Sequence, residues 1–202
     1  MHHPSATNIP ILYKRFAKAW QKLRAQSEFV EKSWLDLFLG QIEAHSTILD
    51  LGCGNGKPIA EYFLNKGYLV HGIDSCKAFI KSATKAFPTQ TWEIADMRDF
   101  EIKKQYEGII AWDSFFHLTR DDQKAMFSRF SQLAKVGAPL IFTSGPANGE
   151  AIGDFNGHEL YHASLSPDEY RALLIEHGFG LLSYKLEDQN CGNRSIWLAK
   201  KR

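Results

Sequence analysis

Apolar residues recur along this chain with two different periods. Up to residue 39 they recur at helical spacing, which predicts amphipathic helices over 11–26 and 29–39. Beyond residue 45, short apolar runs alternate with amphipathic segments. The runs predict strands at 46–51, 69–73, 90–94, 107–112 and 138–143, and the segments predict helices at 57–66, at 77–86 and from Thr119 onward. Strands that alternate with helices predict βαβ units and a parallel, doubly wound sheet.

Glycines dominate the stretch that follows the fifth predicted strand. Gly145, Gly149, Gly153 and Gly157 are spaced by four residues among polar neighbours. A motif for close helix contact would need apolar neighbours, so this spacing predicts a mobile loop over 145–165.

The chain closes with a helix and two strands that break the alternation. A capping-box pattern at 166–169 should start the helix, and Gly178 should end it. The runs 181–186 and 195–199 predict two strands, and the turn between them is too short for a helix. These two strands should therefore form an antiparallel hairpin.

Length and composition predict one globular domain. The chain has 202 residues, of which 44% are hydrophobic, so it can bury a sizeable core. Within it we expect residues 1–44 to form an N-terminal helical lid and residues 45–202 to form the core. The first ten residues are polar, contain two prolines and are expected to be loose.

Charge and cysteine usage disfavour several function classes. The net charge is +1 and the charges are mixed, whereas a nucleic-acid binder usually shows a basic face. No nucleic-acid partner is therefore expected. The basic residues 200–202 are interpreted as a solubilising tail. No run approaches the roughly 20 apolar residues of a membrane span, and no signal peptide is visible, which predicts a cytoplasmic protein without a membrane partner. Cys53, Cys76 and Cys191 form no CxxC pair, so neither a metal site nor a disulfide framework is expected.

The stretch from Ile48 to Pro58 carries the strongest local signal for a ligand. A short apolar run leads into glycines at 52, 54 and 56, and Pro58 suits the first turn of a helix. Glycines let the backbone turn sharply and let a ligand approach the main chain. A strand, a tight loop and a helix in this order point backbone N–H groups at a ligand. Taken alone, these donors suit a phosphate equally well.

Acidic residues accompany four successive predicted strands. Asp50 lies within the first, and Asp74, Asp96 and Asp113 follow the next three. A single Asp at such a place is most simply a cap or turn residue. Four of them at strand ends, which line the ligand crevice of an open α/β sheet, indicate a site. Asp74 also lies 22 residues after Gly52, the spacing at which an acidic side chain reaches a ribose diol.

The glycine spacing and Asp50 bear on the kind of ligand. The loop reads G-x-G-x-G, not the G-x-G-x-x-G of dinucleotide-binding domains. A carboxylate at this place would repel an anionic pyrophosphate, whereas it would attract a ligand that carries an ammonium and a sulfonium. A nicotinamide-dependent dehydrogenase is therefore the less favoured interpretation.

These residues together resemble a known family. The segment 50–56, Asp74, the pair Asp96-Met97 and the terminal hairpin are similar to class I S-adenosylmethionine-dependent methyltransferases over about residues 45–200. The segments 111–118 and 157–165 also resemble a bacterial small-molecule subgroup. The resemblance implies an α/β, doubly wound, Rossmann-like sheet of seven strands in the order 3-2-1-4-5-7-6, with strand 7 antiparallel. The residue pattern adds two extra N-terminal helices. It implies S-adenosyl-L-methionine as cofactor and S-adenosyl-L-homocysteine as product.

The resemblance also implies roles for single residues. The glycine loop and Asp50 would hold the methionine part, Asp74 would bind the ribose hydroxyls, and Asp96 would accept from the adenine amine while Met97 packs on the ring. Trp112 and Asp113, which follow the fourth strand, would border the methyl group. Independently of the resemblance, the interpretation of residues 1–44 as a lid has Tyr13 and Trp20 facing the ligand. The expected cofactor-binding residues are Tyr13, Trp20, Asp50, Gly52, Cys53, Gly54, Asp74, Ser75, Asp96, Met97, Trp112 and Asp113.

The residues for the acceptor are less clearly marked. Residues 113–116 lack the prolines of the [DN]-P-P-[YF] motif of enzymes that methylate base nitrogens, which disfavours a nucleic-acid acceptor. Methyl transfer needs orientation and a group that removes a proton. His117, His158 and His162 are candidate bases, and Tyr161 is a candidate positioning donor. Tyr161 and His162 are adjacent, so only one can face the pocket if the backbone is extended.

We therefore expect a methyltransferase that moves a methyl group to an oxygen or nitrogen of a small-molecule acceptor by in-line displacement. His117, Tyr161 and His162 are the expected catalytic residues. The enzyme should be a monomer or a homodimer. Two alternatives remain open: a non-catalytic S-adenosylmethionine-binding regulatory module and, less favoured, an NAD-dependent dehydrogenase.

Overall fold

The computed structural model describes residues 3–202 and contains nine strands and six α-helices in that range. The strands are β1 (Thr47–Leu51), β2 (Leu69–Asp74), β3 (Thr91–Ile94), β4 (Gly108–Ala111), β5 (Pro139–Ser144), β6 (Gly149–Phe155), β7 (His158–Ser164), β8 (Phe179–Asp188) and β9 (Arg194–Lys201). The α-helices are α1 (Ile9–Gln26), α2 (Lys32–Leu39), α3 (Ile59–Asn65), α4 (Lys77–Ala86), α5 (Arg120–Leu133) and α6 (Pro167–Glu176). Short 3-10 helices cover Pro4–Asn8, Phe115–His117 and Gln189–Cys191.

Seven strands form the main sheet, in the order β3-β2-β1-β4-β5-β9-β8. The first five are parallel, and β9 runs antiparallel to both β5 and β8. With β8 and β9 counted as the sixth and seventh strands of this sheet, the order is the predicted 3-2-1-4-5-7-6. The prediction of an α/β, Rossmann-like sheet is therefore confirmed.

Each face of the sheet carries its own hydrophobic core. Neighbouring residues of one strand point to opposite faces, so Leu49 packs with α5 and α6 while Ile48 packs with α2 and α3. Every residue of β4 and β5 is buried, as expected for parallel strands with helices on both faces. This packing places the carboxyl ends of the parallel strands at one rigid edge.

The two N-terminal helices have different positions. Trp34, Leu35 and Phe38 of α2 are buried against the sheet, so α2 is part of the core. Helix α1 instead packs through Ala17 against Cys76 and Phe79, at the start of α4. Residues 4–8 are helical, so the prediction of a loose start is wrong there, and Ser5 is buried. Met1 and His2, which belong to the same prediction, lie outside the described residues.

The predicted mobile loop over 145–165 is largely a hairpin. Strands β6 and β7 pair antiparallel from Gly149↔Ser164 to Phe155↔His158. Asn156 and Gly157 both have positive φ, at 57° and 78°, as the two-residue hairpin turn of type I′ requires. This Asn-Gly pair was a hairpin signal that the glycine spacing obscured.

The C-terminal elements follow the sequence more closely. Both hydrogen bonds of the predicted capping box between Ser166 and Glu169 are present at the start of α6. The predicted terminal hairpin is confirmed as β8 and β9. The supposed basic tail, however, largely belongs to β9, where Lys201 Nζ donates to Ser131 Oγ at 2.7 Å and to the His177 carbonyl at 2.8 Å.

Candidate active site

The glycine loop lies between β1 and α3, at the carboxyl edge of the sheet. Gly52, Gly54 and Gly56 all have positive φ. A Cβ on Gly54 would lie 2.9 Å from the Trp20 ring of α1, so only glycine lets α1 pack this closely over the loop. The loop is tied to the neighbouring strands, because Gly52 and Cys53 N–H groups donate to the Ile73 carbonyl.

Asp74, at the end of β2, braces this loop. Its carboxylate accepts from the Gly54 N–H at 2.9 Å and from the Cys76 N–H at 2.8 Å. Burial raises the pKa of Asp74 to about 6, although both backbone hydrogen bonds oppose the rise. The carboxylate keeps lone pairs for a ligand and lines a cavity together with Ser75.

Asp50 lies deeper, within β1, and is 2% exposed. Burial, and then the charge of Asp74, raise the pKa of Asp50 to about 7. Its Oδ2 atom has no hydrogen-bond partner in residues 3–202. A buried carboxylate oxygen without a donor favours a cationic or hydrogen-bonding ligand beside it.

Asp96, after β3, is already paired. Arg98 donates from Nε to Oδ1 at 2.9 Å and from Nη2 to Oδ2 at 2.6 Å, and it also reaches Asp122 at 3.0 Å. Burial raises the pKa of Asp96, but Arg98 outweighs it and leaves the pKa below its ordinary value. Asp96 can thus accept from a ligand only with the lone pairs that Arg98 leaves free, while Met97 lines the same cavity.

Asp113 follows β4 in an unusual conformation. Its φ is 49°, in the left-handed region, and its N–H donates to Thr143 Oγ1 at 2.9 Å. Arg194 holds the carboxylate with both Nε and Nη2. The preceding residue, Trp112, is buried, and its Nε1 atom lacks a partner among the described residues.

His117 has both ring nitrogens in use. Nδ1 lies 2.8 Å from the Tyr161 carbonyl, and because a carbonyl can only accept, Nδ1 carries the proton. Nε2 then accepts from the Tyr13 hydroxyl at 2.9 Å. Burial lowers the pKa of His117 to about 4, so the ring is neutral near pH 7. His117 thus orients Tyr13 and has no ring lone pair left for another partner.

His162, on β7, is differently placed. It stacks on His117 with ring centroids 5.0 Å apart, lines a cavity, and makes no hydrogen bond to the chain between residues 3 and 202. Burial lowers its pKa, opposed by the charge of Asp113. His162 is therefore a neutral imidazole with a free lone pair.

The neighbours of His162 do not share its role. Tyr161 points to the other side of β7, is fully buried and donates its hydroxyl to Glu150 at 2.7 Å, so the expected role of Tyr161 as a positioning donor is not supported. It contributes its backbone carbonyl to His117 instead. His158 is exposed near the hairpin turn and packs on Phe16.

Two cavities meet at this edge. The first cavity, of about 470 Å³, is lined by Asp74, Ser75, Asp96 and other residues on the side of β2 and β3. The second cavity, of about 740 Å³, extends under the β6–β7 hairpin. Five residues line both: Tyr13, Trp20, Gly52, Asp113 and His117. The geometry can thus hold two ligands end to end.

The expected site residues divide between the two cavities. Besides Asp74, Ser75 and Asp96, the first cavity contains the predicted residues Gly54 and Met97. The second cavity contains Asp50, Cys53, Trp112 and His162. Sequence reasoning missed two arginines, Arg98 and Arg194. Neither stands in a recognisable motif, because their roles follow from partners that packing brings near.

Residues 3–202 contain neither a candidate metal site nor a membrane-spanning helix. No cluster of three or more His, Cys, Asp or Glu side chains could hold a metal ion. None of the helices in that range combines the length and apolar character needed to cross a bilayer.

Known families and structures provide an independent comparison. Residues 48–137 match the family model of a methyltransferase domain. Protein 235L of Invertebrate iridescent virus 6, a methyltransferase by name, is 30% identical over 149 residues, which cover 72% of this chain and 52% of that protein. The chain spans about half the length of the curated relatives that it matches.

Solved structures share the fold at low sequence identity. An S-adenosylmethionine-dependent methyltransferase from Clostridium acetobutylicum has a TM-score of 0.71 at 18% identity, covering 94% of this chain and 99% of that one. The S-adenosylmethionine-bound amino pentose methyltransferase of calicheamicin biosynthesis from Micromonospora echinaspora has a TM-score of 0.72 at 14% identity, covering 92% of this chain and 96% of that one. At these identities the likeness concerns the fold alone.

Proposed function

We propose that this chain is a class I S-adenosylmethionine-dependent methyltransferase and that it methylates an oxygen or nitrogen of a small molecule. The match of residues 48–137 to a methyltransferase-domain family model supports the first part of this proposal. The observation that carries this proposal is the junction of the two cavities at Tyr13, Asp113 and His117. A methyl donor in the first cavity and an acceptor in the second would meet there. In-line displacement needs this end-to-end arrangement.

The first cavity suits S-adenosylmethionine. Asp74 and Met97 line this cavity. In this proposal Asp74 accepts from the ribose hydroxyls and Met97 packs on the adenine. Asp50, whose Oδ2 has no partner in residues 3–202, lines the second cavity, and Gly52 of the glycine loop borders both cavities. The proposal therefore puts the cationic methionine part of the cofactor at the junction of the two cavities. When bound, this cofactor supplies a methyl group on a positively charged sulfur.

The second cavity suits a small acceptor and a histidine base. His162 is neutral because burial lowers its pKa, and its lone pair is free to accept the proton of the nucleophile. The acceptor atom bonds to the methyl carbon, the carbon–sulfur bond breaks with its electrons left on sulfur, and the proton moves to His162. Asp113 then stabilises the imidazolium by its charge.

Helix α1 completes the proposal as a lid. Trp20 lies over Gly54, and Tyr13 borders both cavities, so α1 covers the place where the two ligands meet. Of the residues 1–44 we assign the lid role to α1 and the turn before it, since α2 is packed on the sheet.

The test combines binding with turnover. S-adenosylmethionine binding is measured by calorimetry, and a panel of small hydroxyl and amine compounds is screened for release of S-adenosylhomocysteine. We expect binding, and turnover with at least one acceptor class. Binding without turnover over a broad panel would support a regulatory module, and absence of binding would overturn the proposal.

A further inference from the structure

Arg194 reaches the active edge because β9 is antiparallel. The parallel strands end at this edge, and an antiparallel strand begins there, as the pairing of Ser144 with Ser195 shows. The first residue of β9 therefore lies beside the ends of β4 and β5. The terminal hairpin thereby delivers a cation to residues more than 80 positions earlier in the chain.

The guanidinium of Arg194 makes a multiple contact with Asp113. Nε lies 2.8 Å from Oδ1 and 3.0 Å from Oδ2, and Nη2 lies 2.7 Å from Oδ2. Nη1 donates to the Cys191 carbonyl at 2.9 Å. The buried Glu31 carboxylate lies 3.8 Å from Nη2. A planar fork held at this many points has one orientation, which a lysine could not reproduce.

The backbone before Arg194 is shaped to admit this guanidinium. Gly192 has a φ of 63°, and a Cβ there would lie 2.5 Å from Arg194 Nη1. An alanine at 192 would both strain the backbone and displace the guanidinium. The position of Arg194 is therefore set by its own turn as well as by its partners.

The Asp113 carboxylate lies where its charge acts on several side chains of the site. Its backbone has a positive φ, and its side chain lies at the junction of the two cavities. Its charge is felt by Tyr13, His117 and His162. The orientation of this one carboxylate thus affects the three polar rings at the junction.

We propose that Arg194 is a positioning residue for methyl transfer, which clamps the Asp113 carboxylate at the junction of the two cavities and sets the field that His162 experiences. This inference rests on the proposed function. Arg194 acts through Asp113 and takes no part in bond making.

The clamp has a predictable electrostatic signature. Asp113 raises the pKa of His162, against the lowering by burial, and the adjacent Arg194 cation cancels part of that effect. Removing the cation should therefore raise the pKa of His162, and removing the carboxylate should lower it. The other charged or titratable groups that line this cavity are Tyr13, Arg24, Asp50, Cys53, Lys57, His117 and Glu150, and every variant below retains them.

The experiment is an NMR titration of ¹⁵N-histidine-labelled full-length protein, with His162 assigned by His162→Gln. Arg194→Gln should shift its pKa upward, and Asp113→Asn should shift it downward. Arg194→Lys keeps the charge without the fork, so its pKa should stay nearer the wild-type value. An unchanged or lowered pKa in folded Arg194→Gln protein would overturn the proposal, as would shifts of the same sign in Arg194→Gln and Asp113→Asn.

Two further variants guard against misfolding. Gly192→Ala retains every charge and should raise the pKa of His162 less than Arg194→Gln does. Lys103→Gln removes an exposed ion pair with Glu101, outside both cavities, and should leave the pKa of His162 unchanged. Circular dichroism melts verify that each variant is folded.

Turnover gives a second measurement once an acceptor is found. Arg194→Gln should lower turnover roughly 100-fold at unchanged S-adenosylmethionine affinity, because misplacing a catalytic group costs about that much. The titration itself needs neither cofactor nor acceptor. If the positioning role of Arg194 is wrong, the pKa of His162 will not shift as expected. If the methyltransferase proposal is wrong, S-adenosylmethionine will not bind, so the two failures can be told apart.

Discussion

The two cavities are built in different ways. The strand-end residues of the first cavity come from consecutive βα units between Gly52 and Arg98 and brace one another through short local hydrogen bonds. The second cavity draws on α1, on the residues after β4, on the β6–β7 hairpin and on the start of β9. Helix α1 and the residues after β4 line the first cavity too, but its strand-end residues lie in motifs that are close along the chain. The second cavity needs in addition the β6–β7 hairpin and the start of β9.

The electrostatics of the two cavities differ as well. Around the glycine loop, Asp74 of the first cavity and Asp50 of the second make no ion pair with a cationic side chain of residues 3–202, and burial raises the pKa of both. Beside the second cavity, Arg194 pairs with Asp113 and Arg24 pairs with Glu31, while His117 and His162 are neutral. A cationic cofactor fits the first environment, and proton transfer from a neutral acceptor fits the second.

The largest expected effect tests the second cavity. His162→Gln should lower turnover by a factor on the order of 10²–10⁴, because it removes the proposed base. S-adenosylmethionine affinity should stay unchanged. Turnover is measured by the release of S-adenosylhomocysteine, and the S-adenosylmethionine affinity is measured by calorimetry. His158→Gln is the matched control and should keep full turnover; full turnover in the His162 variant would rule out this base.

The next effect tests the first cavity. Asp74→Asn should weaken S-adenosylmethionine binding roughly 100-fold or more, since two charge-assisted hydrogen bonds to the ribose would be lost or weakened at about 1.5–3 kcal/mol each. Calorimetry measures the affinity. Asp168→Asn, at an exposed position on α6, should bind like wild type. Equal affinity in wild type and Asp74→Asn would show that the ribose site lies elsewhere.

A smaller effect should follow from pH. Burial raises the pKa of Asp74 to about 6, and cofactor binding needs the carboxylate. Through Asp74 alone, affinity should therefore hold above pH 7 and fall as pH drops through 6, by about 10-fold between pH 7 and pH 5. Asp50, with a pKa of about 7, adds to the fall in the same direction. Calorimetry in matched buffers follows this, and Asp74→Asn should flatten the profile; a profile that rises toward acid pH would contradict it.

The smallest effect tests the lid that spans both cavities. Trp20→Ala should cost about 1 kcal/mol of aromatic contact, a loss of ~5-fold in S-adenosylmethionine affinity. Leu23→Ala removes an exposed side chain on the same helix and serves as control. If both substitutions weaken binding equally, the effect belongs to helix stability and not to the Trp20 ring.

Much of the fold could be predicted from the sequence because it depends on local regularities. Alternating apolar runs and helices indicate a parallel sheet, and the segment 187–193, too short for a crossover helix, requires an antiparallel ending. The stretch 145–165 was predicted wrongly because its four glycines outweighed the Asn156-Gly157 turn signal. A single sequence gives no measure of which signal dominates when they disagree.

The sequence by itself determined the glycine loop and the Asp residues near the strand ends, and the resemblance to methyltransferases and the expected cofactor follow from these. Each of these needs only residues that lie close along the chain, so motif and spacing suffice. Only the tertiary structure decided that both nitrogens of His117 are engaged, that His162 keeps a free lone pair, and that Arg194 clamps Asp113. These roles depend on hydrogen-bond partners up to 104 positions apart, which packing of the sheet, the hairpins and α1 brings together.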